Sequence, residues 1–307
     1  MHDLIKSINR LKKERQAILL AHNYEPPEIQ DIADITGDSL GLSVDAARLK
    51  NPVIVFCGVR FMAESAAILA PDKKVILPRL ECGCGLADTA EATALRKMLR
   101  EKPNAMVVTY VNSSAEVKAE SDICCTSGNA VNVVRSIPND QEIIFVPDRN
   151  LGAYVQEQTG RQMILWDGAC PVHDAIRATD IIKAKKAHPK ALLIVHPECR
   201  PEVTKLADGV CSTGGMFDFV KHSTAKEFII ATEEGMLYPL RNAHPDRTFQ
   251  RVAKDVQNAM ICPDMKMISL LDIHNALEKL EPVITVPKEI ADRARLALER
   301  MLAVPRH

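Results

Sequence analysis

Three cysteines recur at a near-constant step. Cys84, Cys170 and Cys262 are 86 and 92 residues apart (170 − 84; 262 − 170). A second set keeps nearly the same step: His22, Tyr110 and His196 are 88 and 86 residues apart (110 − 22; 196 − 110). In each step a hydroxyl follows 17 residues later, at Ser39, Ser127 and Thr213 (39 − 22; 127 − 110; 213 − 196). One match could be chance. Three sets in register mark an internal repeat, copied three times.

The chemistry follows from bringing the copies together. Three thiolates at one point bind a soft metal and leave one position open. Zinc with three thiolates and a water meets that description. A [4Fe–4S] cluster with one iron free of protein ligands meets it at least as well. Either open position is a Lewis acid for a carboxylate or hydroxyl. The bland alternative is that the cysteines are small buried hydrophobes, a common fate of free thiols. That reading suits Cys82, Cys124, Cys125 and Cys199, none of which repeats in register. The Cys-x-Cys of RLECGCGLAD is therefore one ligand, Cys84, beside a spare thiol. No C-x2-C pair exists to build a zinc ribbon.

Other residues supply proton transfer and anion binding. His22 and Tyr24 alternate in HNY, as His196 and Glu198 do in HPEC. Such pairs suit general acid–base work. The turns GDSLGLS, CTSGNAV and CSTGGMF carry hydroxyls where helices begin, and free N–H groups there hold carboxylates or phosphates. Simple N-capping is the alternative for any one turn. Three turns aimed at one cavity favour a small polyanionic substrate. No glycine-rich nucleotide motif is present.

Val- and Ile-rich runs alternate with helical patterns. QAILLAHNY, NPVIVFCGV, AMVVTYVN, EIIFVPD, ALLIVHPE and EFIIAT are apolar nearly throughout, as strands buried on both faces of a parallel sheet are. The class is α/β. The repeat divides the chain at 1–84, 85–170 and 171–270, and 271–307 is expected to pack back on the first unit. His22, Tyr110, His196 and the three cysteines all follow strand-like runs. Ligands of open parallel sheets sit beyond those carboxyl ends. Pseudo-threefold packing would gather the ends on one axis.

The chain has 307 residues, 47% hydrophobic, with net charge −1 and 4% aromatics. That balance argues against a nucleic-acid partner. The longest apolar runs are strand-length, so no membrane span is expected. MHDLIKSINRLKKERQ has helical spacing and no signal-peptide core, which points to the cytoplasm. Nine cysteines in a reducing cytosol are not a disulfide framework.

Together the motifs resemble those of the quinolinate synthase family. The carrying residues are HNYEPPEIQDIAD, GDSL, FCGVRFMAESA, GCGLAD, YVNSSAEVKAESDICCTSGNAV, FVPDRNLG, WDGACPVH, HPECRPEV, TEEGMLY and CPDMK, spread over about residues 18 to 270. The resemblance implies three homologous three-layer αβα domains, each with a small parallel sheet, in a pseudo-threefold arrangement around a central active site. It implies a [4Fe–4S] cluster on Cys84, Cys170 and Cys262. It implies condensation of iminoaspartate with dihydroxyacetone phosphate to quinolinate, with loss of phosphate and water, in NAD biosynthesis. Catalytic roles fall on Tyr24, His196 and Glu198. Substrate contacts fall on His22, Ser39, Phe61, Tyr110, Asn112, Ser127, Ser212 and Thr213. An aspartate oxidase or dehydrogenase would supply the iminoaspartate. Two positions depart from the family's usual pattern, Gly85–Leu86 after Cys84 and Gly128 after Ser127. Gly128 lacks a hydroxyl that relatives often carry. Two rivals share the metal logic: another cluster-dependent dicarboxylate hydro-lyase, and a non-catalytic iron–sulfur redox protein.

Overall fold

A computed structural model describes residues 2–252 and 260–305. It contains three separate four-stranded sheets. The first is built from β1 (Ala17–His22), β2 (Ile35–Gly37), β3 (Val53–Cys57) and β4 (Lys74–Ile76). The second is built from β5 (Met106–Tyr110), β6 (Ile123–Cys125), β7 (Ile143–Val146) and β8 (Ile164–Leu165). The third is built from β9 (Leu192–Val195), β10 (Gly209–Val210), β11 (Glu227–Ala231) and β12 (Thr248–Arg251).

All three sheets are parallel throughout and share one order. The first strand of each unit is hydrogen-bonded to the second on one side and the third on the other, and the fourth closes the far edge. The chain therefore reverses direction across the first strand. That reversal opens a crevice between the first and third strands, at their carboxyl ends. His22 and Tyr110 are the last residues of β1 and β5, and His196 directly follows β9. The repeat seen in the sequence is thus a repeat of switch points.

Burial explains the unbroken apolar strands. Val53–Cys57 is buried at every position, as is Ile143–Val146. Successive side chains still part to opposite faces. In β9, Ile194 joins the large central core, whereas Leu193 and Val195 join a smaller cluster with Ile229 and Val203. In β5, Val108 joins the central core and Val107 joins a cluster with Leu95 and Ile144. Helices cover both faces, giving three αβα units.

Two helices follow the third unit. Leu270–Lys279 lies against the first helix, His2–Glu14. Lys288–Leu302 lies against Arg60–Leu69 of the first unit, and against Ala115–Ala119 and β6 of the second. Asn129 Nδ2 reaches the carbonyls of Met301 at 3.3 Å and Val304 at 3.4 Å. The C-terminal segment therefore ties the first two units together. Among the described residues, no helix is long and apolar enough to cross a membrane.

Candidate active site and metal centre

A cavity of about 50 Å³ lies where the three units meet. The first unit lines it with His22, Tyr24, Ser39 and Phe61. The second contributes Tyr110, Asn112 and Ser127, and the third His196, Glu198 and Thr213. Asp38, Leu40, Thr126 and Met265, neighbours of the expected contacts in GDSL, CTSGNAV and CPDMK, also line it. Of the substrate-contact residues expected from sequence, Ser212 stands outside. Its hydroxyl caps the helix Thr213–His222 by accepting the Gly215 N–H at 3.2 Å. Ser212 lines a neighbouring cavity of about 830 Å³ that shares Ser127 with the inner one.

The strand-end histidines are held by a repeated turn. His22 Nδ1 accepts the Tyr24 N–H at 3.2 Å. His196 Nδ1 stands 3.4 Å from the Glu198 N–H in the matching place. Burial drives the pKa of His22 down to about 4, so its ring is neutral at pH 7. With Nδ1 accepting, its one ring proton sits on Nε2. Burial lowers His196 too, and Glu198 partly offsets that.

Glu198 is the electrostatic centre of the cavity. Burial acts to raise its pKa, but His173 and then His196 overcome burial and keep the carboxylate ionised. His173 Nδ1 lies 2.7 Å from Glu198 Oε2 and 3.2 Å from Cys170 Sγ. The His173 ring stacks on His196 with centroids 4.6 Å apart. On its far side, His173 Nε2 meets Thr232 Oγ1 at 2.8 Å, and Thr232 Oγ1 meets the Tyr24 hydroxyl at 2.6 Å. Sequence reasoning assigned no role to His173 or Thr232. The available signal for His173 was its place three residues after Cys170, on a short helix begun by Pro171.

Among the described residues, two buried acceptors in the cavity lack a protein partner, Glu198 Oε1 and Asn112 Oδ1. Buried polar atoms are rarely left so. Both residues line the cavity, so a ligand's donors can satisfy them. Tyr24 and Tyr110 remain protonated. Burial, and next the Glu198 carboxylate, push both phenols well above their ordinary range.

The three repeat cysteines converge beside this cavity. Gly83, next to Cys84, donates its N–H to Asp264 Oδ1 at 3.1 Å, two residues from Cys262. Gly85, on the other side of Cys84, packs against Pro171, next to Cys170. Cys84, Cys170 and Cys262 are half-buried, whereas Cys82, Cys124, Cys125 and Cys199 are fully buried. Each ligand loop in the second and third units is anchored by an acid. Asp148 Oδ2 accepts the Cys170 N–H at 3.2 Å, and Glu233 Oε1 accepts the Cys262 N–H at 3.1 Å. Those acids follow β7 and β11, so the anchor belongs to the repeat. Gly168 lets the second loop lie close. A Cβ there would stand 2.2 Å from Thr89 Oγ1 and 2.4 Å from the Pro147 carbonyl.

The donor set fits a soft metal. Burial pushes the Cys84 thiol up to about 12 and the Cys262 thiol up to about 11. Burial also raises Cys170, and Glu198 and Cys84 raise it further. A bound cation reverses that and makes each a thiolate. Among the described residues, Cys170, His173 and Glu198 also form a group whose donor atoms lie within 4.8 Å of one another. The site is compatible with metal binding.

Comparison with known proteins agrees with this geometry. The family model described as quinolinate synthetase A protein matches residues 6–303. A quinolinate synthase of Geobacter sp. (strain M21) is 54% identical over 303 residues, covering 99% of this chain and 98% of that protein. That of Geobacter metallireducens is 54% identical, covering 99% of each. That of Methanosarcina barkeri is 52% identical, covering 98% of each. The chain belongs to the quinolinate synthetase A family.

Proposed function

We propose that the chain condenses iminoaspartate with dihydroxyacetone phosphate to give quinolinate, phosphate and two waters. One observation carries the reading. Two buried acceptors without a partner among the described residues, Glu198 Oε1 and Asn112 Oδ1, belong to a cavity's lining, and Cys170 Sγ stands within 4.8 Å of a Glu198 oxygen beside it. Cys84, Cys170 and Cys262 would hold a [4Fe–4S] cluster, one from each αβα unit. When bound, it supplies a Lewis-acidic iron that eases loss of hydroxide.

The protein's own groups do the rest. Asn112 Oδ1 and Glu198 Oε1 accept N–H or O–H donors of the substrates. His22 offers Nε2–H to a carboxylate. The hydroxyls of Ser39, Ser127 and Thr213 offer further donors. Ser39 and Thr213 open ten-residue helices, where free N–H groups favour an anion. Ser212 borders the outer cavity and fits an anion on its way in. Tyr110 stays protonated and donates. Phe61 walls the cavity. His196 and Glu198 transfer protons as the substrates join and lose water, and Tyr24 assists. Fixed donors in a buried site need no reorganisation during reaction. The supplier of iminoaspartate is an aspartate oxidase or dehydrogenase, and the compartment is the cytoplasm.

The test is direct. Anaerobically purified protein receives freshly generated iminoaspartate and dihydroxyacetone phosphate. Quinolinate and phosphate should appear in equal amounts. Metal-replete protein that consumes neither substrate would sink the proposal.

A further inference from the structure

We infer that the buried Lys118 ammonium is the counter-charge of the metal centre, placed next to the cavity wall to offset the negative charge of the thiolate-held metal. The inference rests on the cluster proposed above.

Lys118 lies on the short helix Ala115–Ala119 of the second unit. It is fully buried, and among the described residues no other lysine or arginine is as buried. Its Nζ donates to the Ser113 carbonyl and stands over the Phe61 ring, 5.3 Å from the centroid. Phe61 in turn lines the inner cavity, so the ammonium is one side chain removed from it.

A buried ammonium is costly unless an anion answers it. A carbonyl and a ring face answer only part of its charge. Burial lowers the Lys118 pKa, and Cys124, Glu64, Cys84 and Glu116 act against burial. Three of those four are already accounted for. Burial pushes the Cys124 thiol up to about 12, which leaves it neutral. Both Glu64 oxygens are engaged elsewhere, Oε1 by Arg60 Nε at 3.1 Å and Oε2 by the Ala115 N–H at 3.1 Å. Glu116 is exposed, where water and salt screen it. Cys84 remains, and it becomes an anion when its thiolate holds a metal.

The consequence is electrostatic. Three thiolates outweigh the positive charge of an oxidised [4Fe–4S] core, and one-electron reduction adds to the excess. Net charge around a cluster sets its reduction potential. A fixed cation in a buried setting is poorly screened, so it favours the thiolates and favours the reduced cluster most. Lys118 therefore raises the potential and helps to hold the metal.

Anaerobic redox titration with dithionite, followed by electron paramagnetic resonance, tests this without any turnover. Lys118→Gln keeps a donor and drops the charge, and Lys118→Met drops both. Both should shift the one-electron reduction equilibrium at least tenfold towards the oxidised cluster, a midpoint about 59 mV lower. Lys226→Met removes an exposed charge paired with Asp246 and should leave the midpoint where it is. An unmoved midpoint in Lys118→Gln, or an equal shift in Lys226→Met, would overturn the inference. If Lys118→Gln holds no cluster, urea unfolding of its metal-free form decides. A midpoint equal to that of the metal-free parent supports the inference, and a lower one overturns it by showing a structural lysine. A parent that holds no cluster would sink the cluster assignment and the inference with it. A parent whose cluster responds to Lys118 but which makes no quinolinate would sink the proposed reaction and leave the inference standing.

Discussion

His173 Nδ1 sits 2.7 Å from Glu198 Oε2, inside a cavity that keeps the carboxylate charged despite complete burial. The pair holds one carboxylate oxygen and leaves the other free for a ligand. Glu198→Gln keeps the shape and removes the charge. Iron content should be unchanged, and kcat should fall at least a hundredfold, about 3 kcal/mol of transition-state stabilisation. Anaerobic kinetics alongside iron analysis checks this. Undiminished turnover would contradict a catalytic carboxylate at this position.

Gly168 holds the Cys170 loop against Pro147 and Thr89. A methyl there meets a backbone carbonyl that has nowhere to go. Gly168→Ala should cost about 1–3 kcal/mol, seen as a lower midpoint in urea. The same variant should bind less iron, because the displaced loop carries a ligand.

The acids behind the ligand loops should matter through Cys170 and Cys262. In Asp148→Asn one acceptor becomes a donor, set against the N–H of either Leu151 or Cys170. A lost buried acceptor costs about 1–3 kcal/mol. Iron occupancy after anaerobic reconstitution should fall. Glu233→Gln should do the same through Cys262 and Gly235. Full occupancy in both would show that the loops do not need these anchors.

Glu25 gives a pH dependence. Both its carboxylate oxygens are buried without a partner among the described residues, and burial pushes its pKa from 4.5 up to about 8. Unfolding lets it ionise near 4.5, so the unfolded chain binds fewer protons between those values. Its contribution is therefore fully present below 4.5 and is lost as pH rises through about 8. The loss is at most about 5 kcal/mol. Glu25→Gln should flatten the fall in stability between pH 5 and 8.5, measured by urea unfolding. An unchanged slope would mean Glu25 finds a partner.

Much of this was legible in the sequence because symmetry made it so. The 86- to 92-residue step reported three equal sheets, and equal sheets place equivalent strand ends together. His22, Tyr110, His196 and the three cysteines share those positions, so spacing alone could find them. His173 and Thr232 lie off the symmetry. The residues three after Cys84 and Cys262 are Ala87 and Met265, and those following β3 and β7 are Gly58 and Pro147. A repeat cannot reveal a residue that one copy alone possesses. The acids after β7 and β11 stand at matching places, and the structure shows them gripping the ligand loops. Ser212 sits one residue before Thr213 and lines the neighbouring cavity. The resemblance marked it as a substrate contact, and its hydroxyl also caps the helix Thr213–His222.

The central claim is that one cysteine from each unit holds a single cluster. Anaerobic iron and sulfide analysis of five proteins tests it most directly: the parent, Cys84→Ser, Cys170→Ser, Cys262→Ser and Cys82→Ser. The parent and Cys82→Ser should each carry about four irons and four sulfides per chain. The other three should lose the cluster and its visible absorption. A full cluster in any of those three, or its loss in Cys82→Ser alone, would contradict the account.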